Sequence, residues 1–372
     1  MRVLVTGGAG YIGSHAVRAL SRAGHQPLVL DNLVYGHAEI VREVLQVPLV
    51  VGQVGDRALV EALLAGSHPD LHGTVHGGRP IEAVLHFAAY AYVGESMSDP
   101  ARYYRNNLGD TLTLLEALVA GQRTEGRDAG DKAGSPAAAE ALPAPIPIVF
   151  SSTCATYGVP RQVPITEDHP QDPINPYGRS KWMVEQLLHD FARAYGLPSV
   201  IFRYFNAAGA DPDGDLGENH DPETHLIPLV LDVMGGRRPY LQIYGDDYPT
   251  PDGTCIRDYI HVSDLADAHV LGLERLLRLR ERGEDRREPL VYNLGTGTGY
   301  SVQQVIETAK AATGRGLLAH VAPRRGGDPA QLVAAAARAQ RELGWRPRYS
   351  DLGTIIEHAW IWHQGALQAR RP

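Results

Sequence analysis

The sequence predicts an α/β fold: a doubly wound parallel sheet with a smaller, interleaved α/β domain. Three observations lead to it. A glycine-rich turn joins the first apolar strand to the first amphipathic helix. Continuous apolar runs then alternate with helical periodicity up to about residue 205. Directly after Asn206 the texture changes to Gly, Pro and acidic residues.

Residues 3–5 read as a buried strand, 7–13 as the glycine turn, and 14–23 as a helix with Ile12, Ala16, Ala19 and Leu20 at helical spacing. Residues 27–30 are the next strand, which ends at Asp31. The alternation continues with a strand at 81–87, a helix at 107–120, a strand at 146–150, a helix at 177–195 and a strand at 199–205. Residues 211–224 read as loop. A strand and helix like those of the first half return at 258–273, and 292–294 is a last short strand. These elements divide the chain into a sheet domain of residues 1–206 and 256–298 and a second domain of 207–255 and 299–372.

Two stretches read as insertions. In 66–80, His68, His72 and His76 are spaced as ligands on one helix face would be. The surrounding glycines and prolines argue against a helix, so a solvated loop is expected and no metal. Residues 121–147 are mostly Gly, Pro and Ala and read as a surface loop.

The 372 residues carry a formal net charge of -8, which favours neither a nucleic acid nor an anionic membrane as partner. Two cysteines, Cys154 and Cys255, cannot build a disulfide framework, and a reducing, cytoplasmic setting is expected. No secretory h-region and no apolar run of membrane-spanning length is seen.

Gly7, Gly10 and Gly13 follow a strand and open a helix. The first permits a tight turn, the second lets the backbone approach a pyrophosphate, and the third packs helix on strand. The helix N-terminus then offers free N–H groups to phosphates. Asp31, closing the next strand, is placed to accept ribose hydroxyls and to repel a 2′-phosphate, which selects NAD over NADP.

Tyr177 and Lys181 are spaced i, i+4, so a helix places both on one face. A free phenol titrates near ~10. An ammonium ~4 Å away is worth ~4 kcal/mol at an effective dielectric of ~20, enough to move it toward neutrality. The helix follows a strand ending Ser151-Ser152-Thr153, whose carboxyl end opens on the crevice where such sheets bind ligands. Strand register leaves open whether Ser152 or Thr153 faces that crevice.

These features, with the segments VTGGAGYIGSH, LDNL, HFAAYAYVGES, FSSTCATYG, NPYGRSKWMVEQ, RYFNAAGADPDGDLGE, GDDYPTPDGTCIRDYIHVSDLADAHV, YNLGTGTGYSV and APRRGGDPA, resemble the extended short-chain dehydrogenase/reductase superfamily and, within it, the UDP-galactose 4-epimerase family. The resemblance implies a Rossmann domain for NAD and a second domain for a UDP-sugar. It implies isomerase activity in galactose and carbohydrate metabolism, by 4-epimerisation of UDP-glucose and UDP-galactose through a transient 4-keto sugar, in a cytoplasmic homodimer. Tyr177, Lys181 and Thr153 would be catalytic, Thr153 standing where the family usually has serine. Gly7, Gly10, Tyr11, Ile12, Gly13, Asp31, Asn32, Phe87, Ala88, Ala89, Asn106, Ser151, Tyr177, Lys181 and Tyr204 would hold the cofactor. Ser96, Thr153, Tyr177, Asn206, His225, Leu226, Tyr244, Arg257, Arg325, Asp328 and Leu332 would hold the substrate, with the two arginines on its diphosphate and Asp328 on the uridine ribose.

Three positions depart from the family's pattern: Ala91 for a cofactor-contacting lysine, Gln53 for an aspartate near the adenine, and Leu332 for a tyrosine beside the sugar's 2-substituent. Neighbouring readings are a 4-epimerase for UDP-N-acetylglucosamine or for UDP-xylose/UDP-arabinose, a nucleotide-sugar 4,6-dehydratase, and a non-catalytic NAD-binding regulator. Cys154-Ala155 after Thr153 lack the acids a dehydratase needs. A salt bridge to Asp258 is the plain structural alternative for Arg257.

Overall fold

The computed structural model describes residues 1–120, 144–284, 287–326 and 328–369. Most of the 121–147 insertion thus lies outside the described residues. β1 (Arg2–Thr6) leads through the glycine turn into α1 (Tyr11–Arg22), which starts at Tyr11 rather than at residue 14. Gly7 makes that early start possible. Its φ is +73°, and a Cβ there would lie 2.6 Å from the Ala88 amide nitrogen.

The first half continues through β2 (Gln26–Asp31), β3 (Leu49–Val51), α2 (Arg57–Ala65), β4 (Ala83–His86), α3 (Val93–Ser98), α4 (Pro100–Tyr103), α5 (Thr111–Leu118), β5 (Ile148–Thr153), α6 (Pro176–Tyr195) and β6 (Ser199–Tyr204). The 107–120 helix begins later than expected. Tyr104–Asp110 forms a wide helical turn. There the Asn107 amide donates to the Tyr90 carbonyl and the Ser180 hydroxyl, and its oxygen accepts from the Tyr90 amide. A side chain tied in this way across to α6 accounts for the irregular turn.

The second half adds β7 (Asn206–Ala208), α7 (Leu226–Met234), β8 (Leu241–Tyr244), β9 (Ile256–His261), α8 (Val262–Glu281), β10 (Leu290–Leu294), β11 (Gly299–Ser301), α9 (Val302–Thr313), β12 (Ala319–Ala322), β13 (Gln331–Leu332), α10 (Ala337–Leu343) and α11 (Leu352–Ala369). Residues 211–224 contain no helix or strand, as their composition implies.

Seven strands form one sheet in the order β10-β6-β5-β4-β1-β2-β3, all parallel. Successive side chains point to opposite faces. Val3 and Val5 therefore enter one core with Leu20 and Leu273, while Leu4 enters the other with Leu28 and Leu188. α1 packs on α8 over the first face. β1 has β2 on one side and β4 on the other, so the strand order reverses there and leaves a crevice at the carboxyl ends.

A third core joins α7, α9 and α11 through Val230, Leu231, Ile306, Ile355 and Ile356. β9, expected to return to the large sheet, instead pairs with β7, β11 and β13. Its Ile260 and the helix after it still pack into the first core of the large sheet. Ala336, Ala339, Leu343 and Trp345, late in the chain, also enter the first core. Trp345 is pinned there by its ring N–H, which donates to the Asp264 carbonyl.

The 66–80 stretch is loop with a single short turn, Pro69–Leu71. It is not solvated throughout. Leu71 enters the second core, and His76 is fully buried with it. Among the described residues no helix is long and apolar enough to cross a membrane.

Candidate active site

The crevice is a cleft of about 1170 Å³ running from the glycine turn to the loop holding Arg325 and Asp328. Gly7, Gly10, Tyr11, Ile12, Gly13, Asp31, Asn32, Phe87, Ala88, Ala89, Asn106 and Tyr204 line its wall. A Cβ on Gly13 would fall 2.1 Å from the Gly7 carbonyl oxygen, so helix and turn already touch. A Cβ on Gly10 would meet nothing nearer than that oxygen, at 3.4 Å. The protein itself therefore leaves room in front of Gly10, and the motif's need for glycine there fits a pyrophosphate lying against it.

Asp31 is 7% exposed, and burial raises its pKa. Its two oxygens accept from the Ala9 and Leu33 amides at 3.0 and 2.9 Å. Each oxygen keeps a lone pair for a ribose hydroxyl. These residues fit a dinucleotide.

The centre of the cleft is built by β5 and α6. Asn175 caps α6 by accepting from the Gly178 amide at 2.8 Å, and Pro176 starts it. A Cβ on Gly178 would sit 2.5 Å from the Ala155 carbonyl oxygen, so the first helical turn lies tight against the end of β5. That contact brings Tyr177 to Thr153. The pleat answers the register question. Ser152 points away from the cleft and donates to Glu185, while Ser151 and Thr153 face the other way. Thr153 Oγ1 accepts from the Ala155 amide at 3.1 Å.

Tyr177 and Lys181 are both buried cleft residues. Burial pushes the Tyr177 phenol well up, Tyr204 adds to this, and a hydrogen bond with Thr153 pulls it down. Lys181 Nζ donates to the Ser151 carbonyl at 2.8 Å, and burial lowers its own pKa to about 7. Glu185 opposes that fall. Behind the site, Arg203 and Glu185 form a buried ion pair at 2.6 Å.

At the far end, Asn206, His225, Leu226, Tyr244, Arg257, Arg325, Asp328 and Leu332 all line the cleft. Arg257 does not pair with Asp258. Its Nη2 lies 3.6 Å from Asp328 Oδ1, while Asp258 is buried and accepts from the amides of Thr296, Gly297 and Ala334. The Arg325 guanidinium stacks 3.9 Å over the Tyr244 ring. Leu332 packs with Cys154, Phe205 and Ala334.

Two expected residues are not on the wall. Ser96 is fully buried, and its hydroxyl donates to the Val93 carbonyl at 2.7 Å within its own helical turn. Ser151 reaches the site only indirectly, through its carbonyl to Lys181 and its hydroxyl to Tyr204 at 2.8 Å. Of the departures, Ala91 lines the cleft beside Tyr90, which lies 4.0 Å below the Arg102 guanidinium. Gln53 does not line it.

The sequence reading missed Glu218, His220 and Glu223. With His225 their ligand atoms lie within 4.8 Å of one another. The spacing Glu-x-His-x-x-Glu-x-His at 218–225 was the available signal. Glu218 and Glu223 raise the His225 pKa to about 9 against the effect of burial.

Comparison with known proteins agrees with this geometry. The profile of the NAD dependent epimerase/dehydratase family matches residues 3–295. A UDP-glucose 4-epimerase of Halalkalibacterium halodurans is 46% identical over 364 residues, covering 98% of this chain and 96% of its own. The crystal structure of UDP-glucose 4-epimerase from Brucella ovis in complex with NAD is 46% identical, with a TM-score of 0.81 over 96% of this chain and 97% of that one. The UDP-Glc/GlcNAc 4-epimerase from Campylobacter jejuni is 36% identical, with a TM-score of 0.75 over 98% and 99% of the two chains. Matched by that profile over most of its length and by these relatives over nearly all of it, the chain belongs to the NAD dependent epimerase/dehydratase family.

Proposed function

We propose that this protein interconverts UDP-glucose and UDP-galactose by NAD-dependent epimerisation at the sugar C4, through a transient 4-keto sugar. The observation that carries the reading is Tyr177 beside Thr153, in one cleft with the glycine turn, Arg257 and Arg325. Bound NAD supplies the group that accepts and returns the C4 hydrogen. The protein's own residues do the rest. Tyr177 takes and returns the proton of the 4-hydroxyl, and Thr153 positions that hydroxyl. Lys181, when charged, stabilises the phenolate. Its pKa of about 7 puts that charge within reach at neutral pH.

Arg257 and Arg325 hold the diphosphate, a task for forked charged donors in a protein of net charge -8. Asn206, Leu226 and Tyr244 complete that side, and Asp328 takes the uridine ribose. Residues 1–206 with 256–298 serve the cofactor and 207–255 with 299–372 the sugar nucleotide. β9 and the segment around Trp345 cross that division. We place the protein in the cytoplasm as a homodimer serving galactose metabolism.

One observation favours a second substrate. Leu332, rather than a tyrosine, faces the cleft, and leucine leaves space for an N-acetyl group beside C2. Incubating each sugar nucleotide with the purified protein and separating products by chromatography tests both readings.

A further inference from the structure

Residues 211–225 have no regular structure, and His220, Pro222, Thr224 and His225 line the cleft. Near the end of this strap, two glutamates and two histidines turn inward together. His220 Nδ1 lies 3.0 Å from Glu218 Oε1 and 3.9 Å from Glu223 Oε2. His225 Nδ1 contacts Glu218 Oε1 and lies 3.7 Å from Glu223 Oε1. Two main-chain amides, of Thr224 and His225, hold Glu223 Oε1 at 2.7 and 2.8 Å. The carboxylate is thereby fixed with its other oxygen toward His220.

The side chains of Glu218 and Glu223 are 5% and 10% exposed, and among the described residues no Lys or Arg pairs with either. The two imidazoles are the only groups facing these two nearby carboxylates among the ion pairs of the described residues, which leaves four ligand-type atoms within 4.8 Å of one another. A second, independent feature points to the same spot. Tyr92 is 8% exposed, its ring meets the His220 ring edge-on at 5.9 Å, and its buried hydroxyl has no hydrogen-bond partner. Tyr11, the first residue of α1, also meets this imidazole edge-on, at 6.2 Å.

We propose that Glu218, His220, Glu223 and His225 form a binding site for one divalent transition-metal ion, zinc by donor type, which fastens the strap to the cofactor wall. Two imidazole nitrogens and two carboxylate oxygens are a four-coordinate zinc set. Imidazole donors disfavour magnesium and calcium, which take oxygen ligands. A dication neutralises the two carboxylates, and each imidazole binds as the neutral ring, releasing any proton it carries to solvent. Tyr11 and Tyr92 fix the His220 ring as outer groups do at metal sites. The link is to Tyr11, so the ion ties the loop to the turn at Gly10.

The test uses the full chain with its bound cofactor. Protein dialysed against a chelator is given zinc chloride, desalted, and its metal measured by mass spectrometry. Wild type should retain about one zinc per chain, and the His220→Gln/Glu223→Gln double variant should retain about a tenth of that or less. Cobalt(II) chloride added to chelated wild type should give the intense visible absorption of a four-coordinate ion. That readout does not depend on the variant folding. Zinc retained equally by wild type and variant, or cobalt spectra of the weak octahedral kind, would overturn the site. In that case the cluster is held by protonated histidine alone. Metal content is read without turnover, so it is independent of which sugar nucleotide the enzyme uses.

Discussion

Lys181 Nζ donates to the Ser151 main-chain carbonyl at 2.8 Å, which ties the helix carrying Tyr177 to the strand carrying Thr153. The bond holds the amine inside the protein, where burial lowers its pKa from 10.5 to about 7. The same placement that readies it for the chemistry makes its charged form unfavourable.

Lys181→Met should therefore separate stability from activity. In wild type the folded-state pKa lies below the unfolded one. Unfolding thus takes up a proton between about pH 7 and 10.5, and native stability rises with pH through that window. The methionine variant lacks this dependence. Its melting temperature should equal or exceed that of wild type at pH 7, with the gap narrowing steadily as pH rises toward about 10.5. Turnover should fall by about 100-fold or more. A gap that widens with pH would contradict the account of the buried amine.

Tyr177→Phe removes the proton acceptor and keeps the packed ring. Residual turnover should be about 1% of wild type or less. Bound dinucleotide, released by denaturation, should be undiminished and should carry no 2′-phosphate, as Asp31 requires. Turnover near the wild-type level would remove Tyr177 from its role.

Much of this was legible in the residues. The glycine turn, Asp31 and the Tyr177–Lys181 spacing act through local geometry, and the cleft brings them together as expected. What was not legible depends on distant contacts. β9 has the composition of a large-sheet strand, yet its partners Asn206, Gly299 and Gln331 lie far away in sequence and draw it into the small sheet. Ser152 and Thr153 are neighbours of like chemistry, and only Glu185 behind the strand decides which faces the cleft. Lys181's own titration follows from its burial, which spacing does not report. His220 carries no helical period with its neighbours, unlike His68, His72 and His76, and His225 is legible only as a cleft residue, so their meeting with Glu218 and Glu223 is not visible in the sequence beyond the spacing at 218–225.

Glu185 and Arg203 support the site from behind, with side chains 0% and 6% exposed. Glu185→Gln strands the guanidinium and should destabilise the fold by about 3–5 kcal/mol. Urea denaturation measures this. The Glu185→Gln/Arg203→Met double variant should recover part of the loss. A double variant less stable than the sum of the two single changes would show that the pair is not the source.

Leu332→Tyr should narrow the cleft beside C2. The parent should turn over UDP-N-acetylglucosamine detectably but more slowly than UDP-glucose. The variant should lose that activity selectively, by about 10- to 200-fold. Equal loss on both substrates, or no N-acetyl activity in the parent, would leave Leu332 as ordinary lining.

The most direct test of the central claim is to incubate UDP-glucose with the purified protein, without added NAD, and to follow the nucleotide sugars by chromatography. UDP-galactose should appear and approach the same equilibrium mixture from either starting sugar, with no net accumulation of NADH. A 4-keto or deoxy sugar as the sole product, or unchanged substrate both with and without added NAD, would contradict it.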